Sequence, residues 1–119
     1  MFNFIKNLLG LGTSRGYENV SAQTFEKMLA ETPDAVLIDV RSASEFNDGH
    51  LPEAQNHNIL NGAFQRKMAD LDKTKTYFLY CRSSSRSGTA SKILTKNGFL
   101  KVFNMAEGIG SWQGKMVKN

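Results

Sequence analysis

The stretch Thr76-Tyr77-Phe78-Leu79-Tyr80-Cys81-Arg82-Ser83-Ser84-Ser85-Arg86-Ser87 decides the fold. Thr76–Tyr80 is aromatic and β-prone, so it reads as a strand. Cys81–Arg86 is a polar loop. From Ser87 onward the period lengthens: Ala90, Ile93 and Leu94 fall on one side of a helix, and Gly98 stops it. Upstream, Ala35–Val40 (AVLIDV) is a second short apolar run, suited to a buried parallel strand. Before it, Val20 ends a short strand and Ser21 caps a helix that carries Phe25, Met28 and Leu29. That helix stops near Glu31, because Pro33 disfavours a helical Thr32.

Between the two apolar runs, Ser42–Asp48 reads as a short helix ended by Gly49. His50–Asn58 is a loop leading into a weak strand, and Gly62–Leu71 is a helix bearing Phe64, Met68 and Leu71. Downstream, Leu100–Phe103 is a further strand, and Gly108–Gln113, with Trp112, closes the domain. Strands alternating with helices predict an α/β fold: a doubly wound central parallel sheet flanked by helices on both faces. In such sheets the site lies beyond the carboxyl ends of the strands, where the Cys81 loop falls.

Composition limits the alternatives. A chain of 119 residues with 40% hydrophobic and 22% charged residues fits one ordinary globular domain. We expect the domain over residues 16–119, preceded by a short N-terminal segment, 1–15, of amphipathic or flexible character. One cysteine excludes an internal disulfide, and with two histidines it leaves no multi-ligand metal site. Charge is uneven: residues 1–72 hold six Lys/Arg against ten Asp/Glu, and residues 73–119 hold nine against Glu107 alone. No apolar run is long enough for a membrane span, and the start lacks a secretion pattern, so a cytoplasmic location is expected.

The loop carries the chemistry. A short turn between strand and helix curls backbone N–H groups toward one centre, and the helix N-terminus adds partial positive charge. Arg82 and Arg86 add formal charge, and Ser83, Ser84, Ser85 and Ser87 leave the backbone accessible and offer hydroxyl donors. Cys81 lies at the base of this anion cradle. Such a field favours thiolate, which is the nucleophilic form of cysteine.

These residues resemble the pattern of a known family. Leu37-Ile38-Asp39-Val40-Arg41, then Glu45-Phe46, then Gly49-His50-Leu51-Pro52-Glu53-Ala54, resemble the rhodanese pattern D-V-R, E-F and G-H-I-P-G-A. Cys81–Ser87 resembles its active-site loop, C-R-S-G-x-R-S, and Asn104–Trp112 resembles its closing N-L-x-G-G-I-x-x-W. The resemblance runs from about Val20 to Trp112 and implies a single-domain, rhodanese-like sulfurtransferase. It implies that Cys81 is the nucleophile and carries sulfane sulfur as a persulfide. Arg82, Ser83, Ser84, Ser85, Arg86 and Ser87 would bind a small anionic sulfur donor such as thiosulfate. The acceptor would be a thiophile, including a thiol-bearing protein. No cofactor or metal is implied. Related phosphatases carry C-x5-R, whereas Cys81 and Arg86 are spaced C-x4-R, so phosphate chemistry is disfavoured. Ser84 stands where the loop usually has Gly, Glu107 where the closing motif has its first Gly, and His57-Asn58 where an apolar residue and proline are usual.

Other residues read as structural. Asp39 ends a strand and caps nearby N–H groups, and Arg41, four residues before Glu45, is placed to pair with it. His50 belongs to a fold-defining loop, and Trp112 to core or edge packing. Lys92, Lys96 and Lys101 read as a solvated basic rim able to steer anions or an acidic protein. No nucleic-acid motif is present, and a monomer is expected. The alternative to turnover is a binding or sulfur-delivery module for one protein partner.

Overall fold

The computed structural model describes residues 16–119; the expected 1–15 segment lies outside the described residues. The elements run β1 (Glu18–Val20), α1 (Ala22–Glu31), β2 (Ala35–Asp39), α2 (Ala43–Asp48), β3 (Gln55–Asn56), α3 (Ala63–Met68), β4 (Thr76–Tyr80), α4 (Ser85–Lys96), β5 (Lys101–Met105) and a 3-10 turn (Ile109–Ser111). The strands form one parallel sheet in the order β1-β5-β4-β2-β3. The predicted doubly wound architecture is present.

All five residues of the central strand β4 are buried, and their alternation builds two cores. Tyr77, Leu79 and the following Cys81 face one layer with Phe64 of α3 and Ala90 and Leu94 of α4. Phe78 and Tyr80 face the other with Phe25 and Met28 of α1 and Phe103 and Met105 of β5. Because side chains alternate along a strand, Cys81 leaves β4 on the face that α4 covers. Phe25 meets Phe78 edge-on at 5.4 Å, and Phe78 stacks on Phe103 at 5.4 Å, so aromatic packing ties α1 to the sheet centre.

Element ends follow local rules. The Thr24 N–H donates to Ser21 Oγ (3.1 Å), capping α1. Thr32 ends it in an extended conformation (φ −105°, ψ 109°), as a residue before proline should. The α3 helix is shorter than the expected 62–71: Gly62 takes a left-handed conformation (φ 87°) and starts it one residue late, and Ala69 already closes it. β5 is longer than expected. It continues through the polar Asn104, whose Nδ2 donates to Asn19 Oδ1 across the ladder (2.9 Å).

A buried ion pair fixes the connection out of β2. Arg41 Nε lies 3.0 Å from both carboxylate oxygens of Asp39, and its Nη2 donates to Asp39 Oδ2 and to the Gly49 carbonyl at 2.7 Å each. Asn56 Nδ2 donates to the carbonyls of Asp39 and Arg41, joining β3 to the same knot. Tyr80 lies beneath, its ring 5.6 Å from the guanidinium and its hydroxyl accepting from the Leu51 N–H. Burial, and then the Asp39 charge, push the Tyr80 phenol well above its ordinary range. Arg41 therefore does not pair with Glu45. Ser42 is the N-cap of α2, so Arg41 stands outside the helix and four-residue spacing has no geometric meaning there. His50 has the structural place expected: it is buried, stacks on Phe46 at 3.6 Å, and donates from Nδ1 to the Phe46 carbonyl (2.8 Å).

The basic rim is elsewhere than at the site. Lys101 starts β5 and lies 3.8 Å from Asp34, and Lys96 ends α4, so both mark the amino ends of the strands, opposite the Cys81 loop. No helix among the described residues is long and apolar enough to cross a membrane.

Arg41→Met should be strongly destabilising, because it leaves the Asp39 carboxylate buried without its counter-charge. Urea unfolding should show a loss of about 3–5 kcal/mol, the range for breaking one side of a buried pair. A loss under about 1 kcal/mol would mean that the knot is dispensable.

Candidate active site

Cys81 is the first residue after β4, and it is buried. Three groups from the following turn converge on its sulfur. The Ser84 N–H donates to Sγ at 3.1 Å, the Ser87 N–H donates at 3.3 Å, and Ser87 Oγ lies 3.3 Å away. The Ser87 hydroxyl also lies 3.3 Å from the Ser84 carbonyl. It thus has two acceptors to choose between. With the thiol protonated, S–H donates to Oγ and the hydroxyl donates to the carbonyl. With the thiolate formed, the hydroxyl turns to the sulfur, which then accepts three donors.

The turn closes this tightly because Ser84 is left-handed (φ 88°, ψ −15°). That is a conformation glycine adopts freely and other residues adopt at a cost. The substitution noted in the sequence therefore places a Ser where Gly would be unstrained. Glu53, aligned with the glycine of G-H-I-P-G-A, is likewise left-handed (φ 67°).

The loop is held from below by the closing turn. The Ile109 N–H donates to the Cys81 carbonyl (2.9 Å). Gly108 (φ 76°) packs so close that a Cβ there would lie 2.1 Å from the Arg82 carbonyl oxygen and 2.6 Å from Ser83 Cα. No side chain fits. Of the two glycines in the closing motif, the one this chain keeps is the one with no room to change. The neighbouring Glu107 is exposed and lines a polar hollow with Ser21, Gln23, Glu26, Ser111 and Gln113.

The two arginines separate. Arg82 is exposed at the rim. Arg86, in the first turn of α4, turns back to α2, where Nη1 and Nη2 donate to Glu45 Oε1 (2.8 Å) and Oε2 (3.1 Å). Glu45 is itself fixed by a capping box, accepting from the Ser42 N–H (3.1 Å) while its own N–H donates to Ser42 Oγ. The Arg86 hydrogen bonds first, and those from Ser42 with them, pull the Glu45 carboxyl down to about 2. Arg86 is raised in turn, chiefly by Glu45 and to a lesser degree by the Cys81 charge nearby. The cradle thus holds one exposed cation and one already matched by a carboxylate. Ser83 and Ser85 are exposed, Ser84 is half-buried, and Ser87 is buried against the sulfur. Sequence reasoning identified the loop but not Glu45. The Ser42-x-x-Glu45 capping box is visible in the sequence, yet its contact with Arg86 spans 41 positions.

A family model for the rhodanese-like domain matches residues 21–115. The chain belongs to the rhodanese-like domain family. An uncharacterized Bacillus subtilis protein, YqhL, is 37% identical over 78% of this chain and 72% of that protein. The thiosulfate sulfurtransferase GlpE of Shewanella oneidensis is 30% identical over 71% of this chain and 81% of its own. Among solved structures, a rhodanese-related protein from Thermoplasma volcanium superposes with a TM-score of 0.75 at 24% identity, covering 87% of this chain and all of that one. The fold and family are those of rhodanese-like sulfur transfer.

Two outcomes follow for this rhodanese-like site. Ser84→Gly should relieve about 1–2 kcal/mol of left-handed strain, offset by about 0.4–1 kcal/mol from the looser unfolded chain. The unfolding free energy should rise by a net of about 1 kcal/mol, read as a higher denaturation midpoint with an unchanged slope. A fall in the midpoint would show that the turn is not strained. Separately, Glu45 has a lowered folded pKa, so its contribution is complete above the ordinary value of 4.5 and is lost as pH falls toward about 2. The stability advantage of the native chain over Glu45→Gln should shrink across that window in acid titrations. A constant difference from pH 6 to pH 2 would overturn the assignment.

Proposed function

We propose that this protein is a sulfurtransferase that takes sulfane sulfur from thiosulfate, or a similar anion, and carries it as a persulfide on Cys81. The observation that carries the reading is the convergence of the Ser84 and Ser87 N–H groups and the Ser87 hydroxyl on one sulfur at the carboxyl edge of the sheet. Those donors stabilise a thiolate, the species that attacks. The thiolate bonds to the outer sulfur of thiosulfate, the S–S bond breaks, and sulfite leaves with the electron pair. An acceptor thiolate or cyanide then attacks the outer sulfur of the persulfide and returns the Cys81 thiolate. First-turn amides of a helix have no intrahelical acceptor. Those of Ser85 and Arg86, with Ser83 and the Arg82 charge, are suited to hold the anionic end of the donor.

One observation favours a second reading, a module that delivers sulfur to a protein partner with little thiosulfate turnover. Because Arg86 is matched by Glu45, the field available to a small dianion is weaker than the sequence count of two arginines suggests. Cytoplasmic location and a monomeric state belong to either reading as proposals.

Incubation with thiosulfate should add one sulfur atom to the intact mass, and cyanide should remove it. Cys81→Ala should gain none. Equal gain by both proteins would overturn the role of Cys81. No gain from thiosulfate, together with loading from a small-molecule persulfide, would select the delivery reading.

A further inference from the structure

The segment after β3 presents an apolar side chain to solvent beside the thiol loop. Leu60 is 75% exposed, the most exposed of the large apolar residues described. Its position is nevertheless fixed. The Leu60 N–H donates to Asn58 Oδ1 (2.9 Å), and Asn58 also accepts from the Phe64 N–H through its carbonyl (3.1 Å). The Ile59 N–H donates to the Val40 carbonyl (3.1 Å), and its own carbonyl accepts from Gln65 Nε2 (3.3 Å). An exposed leucine on a floating loop needs no explanation; one held by this many bonds presents a defined surface. The turn is also where this chain departs from the family pattern, with His57-Asn58 in place of an apolar residue and proline.

The same bonds locate it. Ile59 bonds to Val40, and the Val40 N–H donates to the Tyr80 carbonyl (3.2 Å), so one strand separates the Leu60 turn from the Cys81 turn. Two inter-strand spacings make about 10 Å. Within the two segments themselves the charge has one sign. Residues 57–68 and 81–87 contain Arg66, Lys67, Arg82 and Arg86 and no acid. The carboxylate that reaches this region, Glu45, is already paired with Arg86. Arg66, Lys67 and Arg82 take part in none of the ion pairs among the described residues. The Arg66 guanidinium lies over Gly62 at the end of the turn. Lys67 acts on His57, which burial first and then that charge hold below its ordinary range.

We propose that Leu60, with Arg66, Lys67 and Arg82 around it, is a docking surface for the sulfur acceptor, and that this acceptor is an acidic protein. It would set an apolar side chain on Leu60, its carboxylates against the cations, and its cysteine over Cys81. The proposal rests on the persulfide reading above. In the transfer step the acceptor thiolate bonds to the outer sulfur, the Cys81 S–S bond breaks, and Cys81 leaves as thiolate. The opposite flank, with Glu26 and Glu107 around the polar hollow, repels such a partner and so fixes its orientation.

The test uses two synthetic peptides with one cysteine beside a leucine, one flanked by Asp and Glu and the other by Lys. Sulfur transfer from the loaded protein should be at least about tenfold faster to the acidic peptide at low salt, and the preference should fade as salt rises. Arg66→Glu/Lys67→Glu should reverse the preference. Leu60→Ser should slow transfer to the acidic peptide while leaving transfer to cyanide unchanged. Equal rates for both peptides, or a preference that the charge reversal does not move, would overturn the docking surface. Failure to load, or loading that cyanide does not remove, would count against the persulfide reading instead. Fluorescence anisotropy with cysteine-to-serine peptides then tests docking alone, where tighter binding of the acidic peptide supports the surface and equal binding overturns it.

Discussion

The site depends on a contact between two backbones. Gly108 lies against the Arg82 carbonyl, and the Ile109 N–H bonds to the carbonyl of Cys81 itself. The active loop therefore has a floor made of main chain. Everything above that floor is local: a left-handed Ser84, the first turn of α4, and two amides aimed at Sγ. Without the floor, a run of four small polar residues and two arginines has little to order it. Packing, not hydrogen bonding within the loop, is what makes the cradle one shape. The last strand and its closing turn complete a site whose cysteine directly follows β4.

Electrostatics at this edge are arranged as a hierarchy. The buried Asp39–Arg41 pair serves the fold, holding the β2 exit, the Gly49 carbonyl and β3 together. The half-buried Glu45–Arg86 pair serves the loop, fixing the start of α4 against α2. Arg82 is left at the rim, bonded to neither. Three arginines near one cysteine thus have three unequal degrees of freedom. The charge that a diffusing anion meets is a fraction of the charge that composition assigns to the region.

The architecture was legible in the sequence because it rests on short-range regularities. Apolar runs at 35–40 and 76–80, the cap at Ser21 and the proline at 33 are local statements, and the sheet and α1 follow from them. The loop and Cys81 were legible as well, since strand, polar turn and helix adjoin in the chain. Three features were not. The partner of Arg86 lies 41 residues away, a contact set by how α2 packs near α4. Arg41 invited a helical pairing with Glu45 because spacing alone does not show on which side of a cap a residue lies. Lys92 and Lys96 are exposed, as a solvated rim requires, but the place of Lys96 and Lys101 relative to the loop was hidden for a related reason. Proximity in sequence to the loop says nothing about which end of a strand a residue occupies.

The sheet's two outer strands are its smallest, three residues in β1 and two in β3. An outer strand is where a second chain can add by backbone hydrogen bonding, and length is what makes such addition favourable. Here each border offers a few unpaired groups at most, and beside β3 stand Pro52, which has no N–H to donate, and the left-handed Glu53. The hydrophobic, fully parallel centre is thereby shielded from templated self-association.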